Sequence, residues 1–169
     1  MIDLYIMVGV PGCGKSTWIE NNRGSYSTVI SRDEIRFNML KSGDDYFKYE
    51  TKVFNEYVNQ INNAINYPCD IDEIYCDATQ INEKSRNKLL NRLNLKDVNI
   101  IIVYIKTSLN VILDRNNKRE GISRVPDDAI IDIFNNRLSE PTFNEKYKYT
   151  EVRIVNGDIL NFWFTFRAW

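Results

Sequence analysis

The residues from Gly9 to Thr17 have the types and the spacing of a phosphate-binding loop. They read Gly-Val-Pro-Gly-Cys-Gly-Lys-Ser-Thr and fit the pattern G-x-x-x-x-G-K-[ST]. The glycines let consecutive backbone N–H groups curl around a phosphate, and the helix N-terminus that follows adds partial positive charge. Lys15 can reach the terminal phosphates of a nucleotide, and the Ser16 hydroxyl can ligate magnesium. We therefore predict a nucleotide-binding site here, and a plain glycine-rich turn is the alternative. The predicted binding residues are Gly9, Gly12, Cys13, Gly14, Lys15, Ser16 and Thr17.

A second polar group follows the predicted strand Thr28–Ile30. Asp33 falls at the start of a predicted helix, and Arg36 lies one turn along on the same face. Because the chain contains no histidine, a general base must be Asp, Glu, Lys, Tyr or Cys. A carboxylate at this position can orient a substrate hydroxyl towards a γ-phosphate, and the arginine can bind a substrate phosphate. The alternative is an N-cap aspartate beside a surface arginine.

A third group, Asp77-Ala78-Thr79, follows the predicted strand Glu73–Cys76. An apolar run that ends in aspartate is the Walker-B arrangement, in which the carboxylate holds magnesium or its water opposite Ser16. Many strands end in aspartate, so this interpretation depends on the phosphate-binding loop being present as well. We predict a magnesium site formed by Ser16 and Asp77.

A basic segment extends from Asp114 to Arg124, after a predicted helix. Arg115 and Arg119 stand four residues apart, which predicts that they share one helix face, and Gly121 offers a hinge. A basic lid at about residues 115–125 can close over a triphosphate and neutralise charge that develops during phosphoryl transfer. A solvated basic turn is the alternative, and we assign no role to Arg124.

Two other polar segments give weaker signals. Asn156 follows the last predicted strand, where a backbone loop can contact an adenine edge. Lys84, Arg86 and Lys88 could contact a nucleic-acid backbone, although a solvated helix face is the preferred interpretation.

Predicted strands and predicted helices alternate along the chain, which indicates a parallel sheet with crossover helices. Strands are predicted at Leu4–Val8, Thr28–Ile30, Glu73–Cys76, Ile100–Ile105 and Glu151–Val155. Helices are predicted at Ser16–Asn22, Asp33–Leu40, Tyr46–Asn66, Asn82–Arg92, Leu109–Asn116 and Pro126–Leu138. Because ligands of an open parallel sheet bind at the carboxyl ends of its strands, the polar groups should converge there.

Length and charge narrow the class of protein. At 169 residues, the chain is predicted to form a single α/β domain with helices on both faces of the sheet. A net charge of −1 argues against broad affinity for nucleic acid, which needs many phosphate contacts, but is compatible with a site for one or two phosphates.

The N-terminal apolar run and the cysteines indicate a cellular location. The first apolar run is too short for a signal peptide or a membrane span, and three cysteines match neither a zinc pattern nor a disulfide framework. We therefore predict a cytoplasmic protein without a membrane partner.

The aromatic stretch Ile159–Trp169 is predicted to pack on the sheet, with a surface for homo-oligomer formation as the alternative.

Several of these motifs together resemble the kinase domain of the phage-type polynucleotide 5′-kinases, within the P-loop phosphotransferase superfamily. The resemblance covers the chain from Met1 to about Gly157. The elements that carry it are Gly9–Trp18 (G-x-P-G-x-G-K-S-T-W), Arg32–Arg36 (R-D-x-x-R), Asp77–Thr79, Arg115–Arg119 (R-N-x-K-R), Val125-Pro126 and Val155–Gly157. The R-D-x-x-R element is shared with zeta-toxin-like and other small-molecule kinases.

The resemblance implies a fold and a set of roles. The fold is a five-stranded parallel sheet with strand order 2-3-1-4-5, and the activity is magnesium-dependent transfer of the ATP γ-phosphate to the 5′-hydroxyl of DNA or RNA, in the host cytoplasm if the protein is phage-encoded. A small-molecule kinase of zeta-toxin or nucleoside type, or a non-catalytic nucleotide-binding regulator, is the alternative. The implied roles are phosphate binding by Lys15 and Ser16, metal support by Asp77, general base for Asp33, acceptor binding by Arg36 and Thr79, a lid formed by Arg115 and Arg119, and a nucleotide contact by Asn156.

Overall fold

The apolar runs of the sequence form the strands of one parallel sheet. The structure is a computed structural model that describes residues 1–160. The strands are β1 (Ile2–Val8), β2 (Ser27–Ser31), β3 (Glu73–Asp77), β4 (Val98–Lys106) and β5 (Glu151–Asn156). The α-helices are α1 (Lys15–Asn22), α2 (Arg32–Met39), α3 (Glu50–Asn66), α4 (Glu83–Leu90), α5 (Leu109–Asn117) and α6 (Asp127–Asp132). The strand order is β2-β3-β1-β4-β5, and every neighbouring pair is parallel.

Both faces of the sheet are covered, which explains why the central strands are continuously apolar. Successive side chains of a strand point to opposite faces, so Leu4 and Ile6 join one buried cluster and Tyr5 and Met7 join the other. The first cluster includes residues of α2, α3 and α4, and the second includes residues of α1, α5 and α6. The predicted three-layer arrangement and the strand order 2-3-1-4-5 are confirmed.

The predicted strands are confirmed to within two residues at each end, whereas two helices differ from the prediction. The helix predicted from Pro126 to Leu138 is α6 followed by a π-helical turn over Ile133–Arg137. The helix predicted from Tyr46 begins instead at Glu50. The residues from Tyr46 to Tyr49 precede α3 as a turn.

The late start of α3 has a local cause in Asp45. Its side chain accepts a hydrogen bond from the backbone N–H of Phe47 at 2.9 Å, and its carbonyl accepts one from Lys48 at 3.1 Å. Aspartate side chains offer the backbone such alternatives to a helix, so the turn forms here. Tyr46 therefore does not belong to α3 and projects towards α2, where its ring lies under the guanidinium of Arg36.

Arg86 is buried inside the protein, contrary to both interpretations of its helix face. Its side chain is fully buried and forms an ion pair with Glu145, with an Nε to Oε2 distance of 2.9 Å. Burial acts to raise the pKa of Glu145, but hydrogen bonds from Arg86 and Tyr149 outweigh it and hold the pKa below its usual value. The pair fastens α4 to the segment that leads into β5.

We expect Arg86→Ala to destabilise the protein by about 3–5 kcal/mol, because removing one partner leaves a buried charge uncompensated. The free energy of unfolding from urea titration measures this loss. Lys84→Ala, at an exposed position of the same helix, is the matched control and should change stability by less than about 0.5 kcal/mol. Equal stability of the two variants would contradict the structural role of the ion pair.

Two predictions concern membranes and the C-terminus. Within residues 1–160, no helix has the length and apolar character needed to cross a membrane. The aromatic stretch predicted to pack on the sheet or to mediate oligomer formation lies, from residue 161 onward, outside the described residues.

Candidate active site

The loop between β1 and α1 has the backbone shape that its glycines predict. Gly12 and Gly14 have φ values of 88° and 108°, in the left-handed region that favours glycine. The side chain of Lys15 is buried, and its ammonium donates to the carbonyls of Gly9 at 3.1 Å and Val10 at 3.2 Å. The lysine charge therefore lies inside the curve of the loop, where a bound phosphate would be placed.

Ser16 and Asp77 are in direct contact, although 61 residues separate them in sequence. The Ser16 hydroxyl donates to Asp77 Oδ2 at 2.9 Å. A hydroxyl and a carboxylate are hard oxygen ligands that suit Mg²⁺, which proteins commonly bind through one or two side chains together with substrate phosphates and waters. Among residues 1–160 there is no cluster of three or more His, Cys, Asp or Glu side chains that could hold a metal by itself. The pair fits a magnesium ion shared with a nucleotide.

Asp33 and Arg36 lie in the first turns of α2, as predicted, and they form an ion pair. Ser31 caps this helix by accepting from the backbone N–H of Glu34. The Asp33 side chain is 63% exposed, whereas the Arg36 side chain is only 7% exposed. The carboxylate is therefore open to solvent while its cationic partner is anchored in the protein.

Tyr46 and Glu50 complete this network from the α3 side. The Tyr46 hydroxyl donates to Asp33 Oδ1 at 3.1 Å and accepts from Arg36 Nη1 at 3.0 Å. Glu50 accepts from Arg36 Nη2 at 2.9 Å and also pairs with Arg32. Burial and the nearby charge of Asp33 raise the pKa of Tyr46 to about 12, so its hydroxyl stays protonated. Arg36 and Tyr46 thus hold the Asp33 carboxylate directly, and Glu50 in turn holds Arg36.

Arg36 remains charged in this environment. Burial acts to lower its pKa, but the hydrogen bond to Glu50 and the nearby charges raise the pKa above its usual value. Its guanidinium also lies 4.6 Å from the centroid of the Tyr46 ring. The buried cation is therefore neutralised by two carboxylates and packed against an aromatic face.

Arg115 reaches from α5 to the phosphate-binding loop. Its Nη1 donates to the carbonyl of Cys13 at 3.1 Å, and its Nη2 donates to the carbonyl of Gly157 at 2.8 Å. The carbonyl of Cys13 also accepts from the hydroxyl of Thr107 at 2.8 Å. These bonds tie the loop to α5, to the end of β4 and to the residue after β5.

Arg119 does not share a helix face with Arg115, because α5 ends at Asn117. Both ends of the segment that follows are fastened by Asn116, whose side chain donates to the carbonyl of Val125 at 2.6 Å and to Asp127 at 2.9 Å. We call residues 117–124 the basic loop. It carries Arg119 and Arg124, and the Arg124 side chain donates to Asn117 at 3.0 Å.

Most of the predicted site residues line one cavity of about 1260 Å³. Those that line it are Gly12, Gly14, Lys15, Ser16, Thr17, Asp33, Arg36, Asp77, Thr79, Arg115 and Arg119. Gly9 and Cys13 belong to the loop but do not line the cavity. Asn156 borders a separate groove of about 510 Å³ beside β5, so the structure places it apart from the other predicted residues.

Several residues of this cavity were not predicted from the sequence. Arg32, Tyr46, Phe47, Glu50 and Arg137 also line it. The acidic residue at the start of α3 resembles any other first-turn carboxylate in sequence, so its pairing with two arginines of α2 gave no local signal. The aromatic pair at 46–47 was interpreted as part of the helix, which concealed its position at the cavity.

The sheet order, the loop and the Ser16–Asp77 contact define the fold and the site of a P-loop NTPase. A family model described as "AAA domain" (AAA_33) matches residues 4–141. The chain therefore belongs to the AAA_33 family.

Solved structures that share the fold include two kinases and an RNA repair complex. A fungal RNA kinase superposes with a TM-score of 0.61 at 14% identity, covering 90% of this chain and 74% of that chain. The Pnkp1/Rnl/Hen1 RNA repair complex gives a TM-score of 0.64 at 19% identity, covering 78% of this chain and 42% of that chain. A sugar kinase from Janibacter sp. HTCC2649 superposes with a TM-score of 0.54 at 14% identity, covering 93% of this chain and 86% of that chain. At these identities the likeness establishes the fold.

Proposed function

We propose that this protein transfers the γ-phosphate of ATP to the 5′-hydroxyl end of a DNA or RNA strand. The observation that carries the proposal is the single cavity that contains both a phosphate-binding loop and, on another wall, the exposed and anchored carboxylate of Asp33. A nucleotide hydrolase that drives a partner needs the loop but has no use for an acceptor clamp made of an aspartate and an arginine. The resemblance to polynucleotide 5′-kinases and the fungal RNA kinase fold support the same class of reaction.

The loop residues bind and orient the donor. Lys15 exchanges its contacts with the loop carbonyls for contacts with the terminal phosphates, while backbone N–H groups cradle them. Ser16 and Asp77 are the residues that would hold Mg²⁺. When bound, this ion neutralises charge on the phosphate oxygens.

Asp33 acts on the acceptor as the general base. Its carboxylate accepts a hydrogen bond from the 5′-hydroxyl, orients that oxygen towards the γ-phosphate and takes the proton as the new P–O bond forms. The bond between the γ-phosphorus and the β–γ bridging oxygen breaks in the same transfer, and ADP leaves. Arg115 and Arg119 supply positive charge beside the transferred group, with the basic loop as the lid. Most of the acceleration then comes from positioning and charge neutralisation.

Arg36 is proposed to contact the acceptor's 3′-phosphate from the cavity wall. We expect Arg36→Ala to lower activity on nucleoside 3′-phosphate acceptors by at least tenfold more than on plain nucleosides, because one charge-assisted contact is lost only with the former. Steady-state rates with both acceptors measure the difference. An equal loss on both would limit Arg36 to holding the Asp33 carboxylate in place.

The test of the proposed function is incubation with labelled ATP and a panel of acceptors. The panel contains 5′-hydroxyl DNA, 5′-hydroxyl RNA, nucleosides and sugars, with 5′-phosphorylated oligonucleotides as the control. Label on the 5′-hydroxyl strands, and none on the 5′-phosphorylated ones, supports the proposal. Label on sugars or nucleosides alone would establish a small-molecule kinase, and bound ATP with no labelled acceptor would establish a regulator or an ATPase.

A further inference from the structure

Phe47 is a large apolar side chain that the fold leaves at the surface of the candidate active site. It lines the cavity and is 64% exposed. Burying an aromatic side chain is among the most favourable single steps in folding, so an exposed ring beside a catalytic pocket has a use that folding does not explain. Scattered exposed apolar residues are ordinary, and the position of this one distinguishes it.

The ring of Phe47 is connected to Asp33 through one residue. It packs edge-on against Tyr46, with ring centroids 4.8 Å apart and an interplanar angle of 81°. The Tyr46 hydroxyl donates to the Asp33 carboxylate at 3.1 Å. The guanidinium of Arg36 lies 6.0 Å from the Phe47 ring centroid. An acceptor whose hydroxyl reaches Asp33 therefore passes next to an aromatic face and a cation.

The charge of the chain indicates what that face binds. A net charge of −1 gives the chain no overall excess of positive charge with which to hold a long strand by its phosphates alone. Stacking on an aromatic ring is the other general source of affinity for single strands, and it tolerates any base because every base has a π face. A sugar acceptor has no such face. The exposed ring thus fits an acceptor that carries a nucleobase.

We propose that Phe47 is the acceptor's base platform and stacks on the nucleobase of the 5′-terminal nucleotide while Asp33 engages its hydroxyl. This inference rests on the proposed 5′-kinase function and deepens it, since it assigns recognition to the terminal base. The platform gives affinity without selecting among bases. Its removal should weaken acceptor binding and leave the chemical step largely intact.

The experiment compares two acceptors that differ only in the terminal base. One is a 5′-hydroxyl oligonucleotide, and the other is the same strand with an abasic 5′-terminal sugar. We expect Phe47→Ala to raise KM about tenfold for the first acceptor, a size consistent with the loss of one stacked base. The value of kcat should change less than twofold, and KM for the abasic strand should not change.

Three further variants keep the interpretation specific. Phe47→Trp should retain the wild-type KM, whereas Phe47→Leu, which keeps apolar bulk without a π face, should behave like alanine. Phe143→Ala is the matched control, because that phenylalanine is 63% exposed and does not line the cavity. It should leave both acceptors unaffected.

The outcomes separate the platform from the function on which it rests. If the wild-type protein labels 5′-hydroxyl strands and Phe47→Ala changes both acceptors equally, or neither, the platform is overturned and the kinase stands. If the wild-type protein labels no strand, the kinase proposal falls and the platform falls with it. A tenfold change confined to the base-bearing acceptor supports both.

Discussion

Asp33→Ala is expected to lower the rate of phosphate transfer by about 10²–10⁴-fold, the range that a positioned general base supplies. The affinity for ATP should stay within about twofold, because Asp33 lies on α2 and makes no contact with the phosphate-binding loop among the described hydrogen bonds. Transfer of label to a 5′-hydroxyl strand measures the first quantity, and titration with a fluorescent ATP analogue measures the second.

The matched control for Asp33 is its neighbour Glu34. This residue is an exposed carboxylate that also lines the cavity, and the network around Arg36 does not include it. Glu34→Ala should retain wild-type turnover. If Asp33→Ala turns over normally, or if both variants lose the same activity, Asp33 has no place in the mechanism.

Lys15→Ala should reduce transfer by about 10²–10³-fold, which is the cost of removing one positive group aimed at developing charge in a water-poor site. ATP affinity should fall as well, because the ammonium lies inside the curve of the loop and is proposed to contact the bound phosphates in the ground state too. The same two assays therefore give different patterns for the two variants: Asp33→Ala loses chemistry alone, and Lys15→Ala loses chemistry and binding.

The control for Lys15 is Lys41→Ala, which removes an exposed lysine that does not line the cavity. Its kinetics and ATP affinity should match those of the wild-type protein. A mild effect of Lys15→Ala, less than about fivefold on both quantities, would contradict the assignment of the loop as the donor site.

The strands could be predicted from sequence because burial leaves a direct trace in composition. Ile100–Ile105 is continuously apolar since both of its faces are covered, and the structure places it beside β1 at the centre of the sheet. Arg86 shows where composition misleads. Arg86 shares the buried face of α4 with Leu89 and Leu90, but its charge favoured an exposed interpretation, and its partner Glu145 lies 59 residues away.

The loop and Asp77 were predictable because each depends on local spacing and on the strand that precedes it. The surroundings of Asp33 were not predictable, because they come from a turn. The hydrogen bond between the Asp45 side chain and the N–H of Phe47 breaks the helical spacing that the sequence analysis extended back to Tyr46. That single turn places Tyr46 on Asp33 and leaves Phe47 at the cavity.

The hydrogen bonds of Asn116 limit how far the basic loop can move and therefore how long its opening takes. Because the side chain of this residue holds Val125 and Asp127, residues 117–124 are tethered at both ends, and their midpoint can extend only about four residues, or about 14 Å, from the anchor. Loop motions take nanoseconds to microseconds and lid opening takes microseconds to seconds, and a segment tethered this closely belongs to the fast end of that range. Admission of substrate and departure of product past this segment therefore need not limit turnover, which leaves the transfer itself or dissociation from the pocket as the slow event.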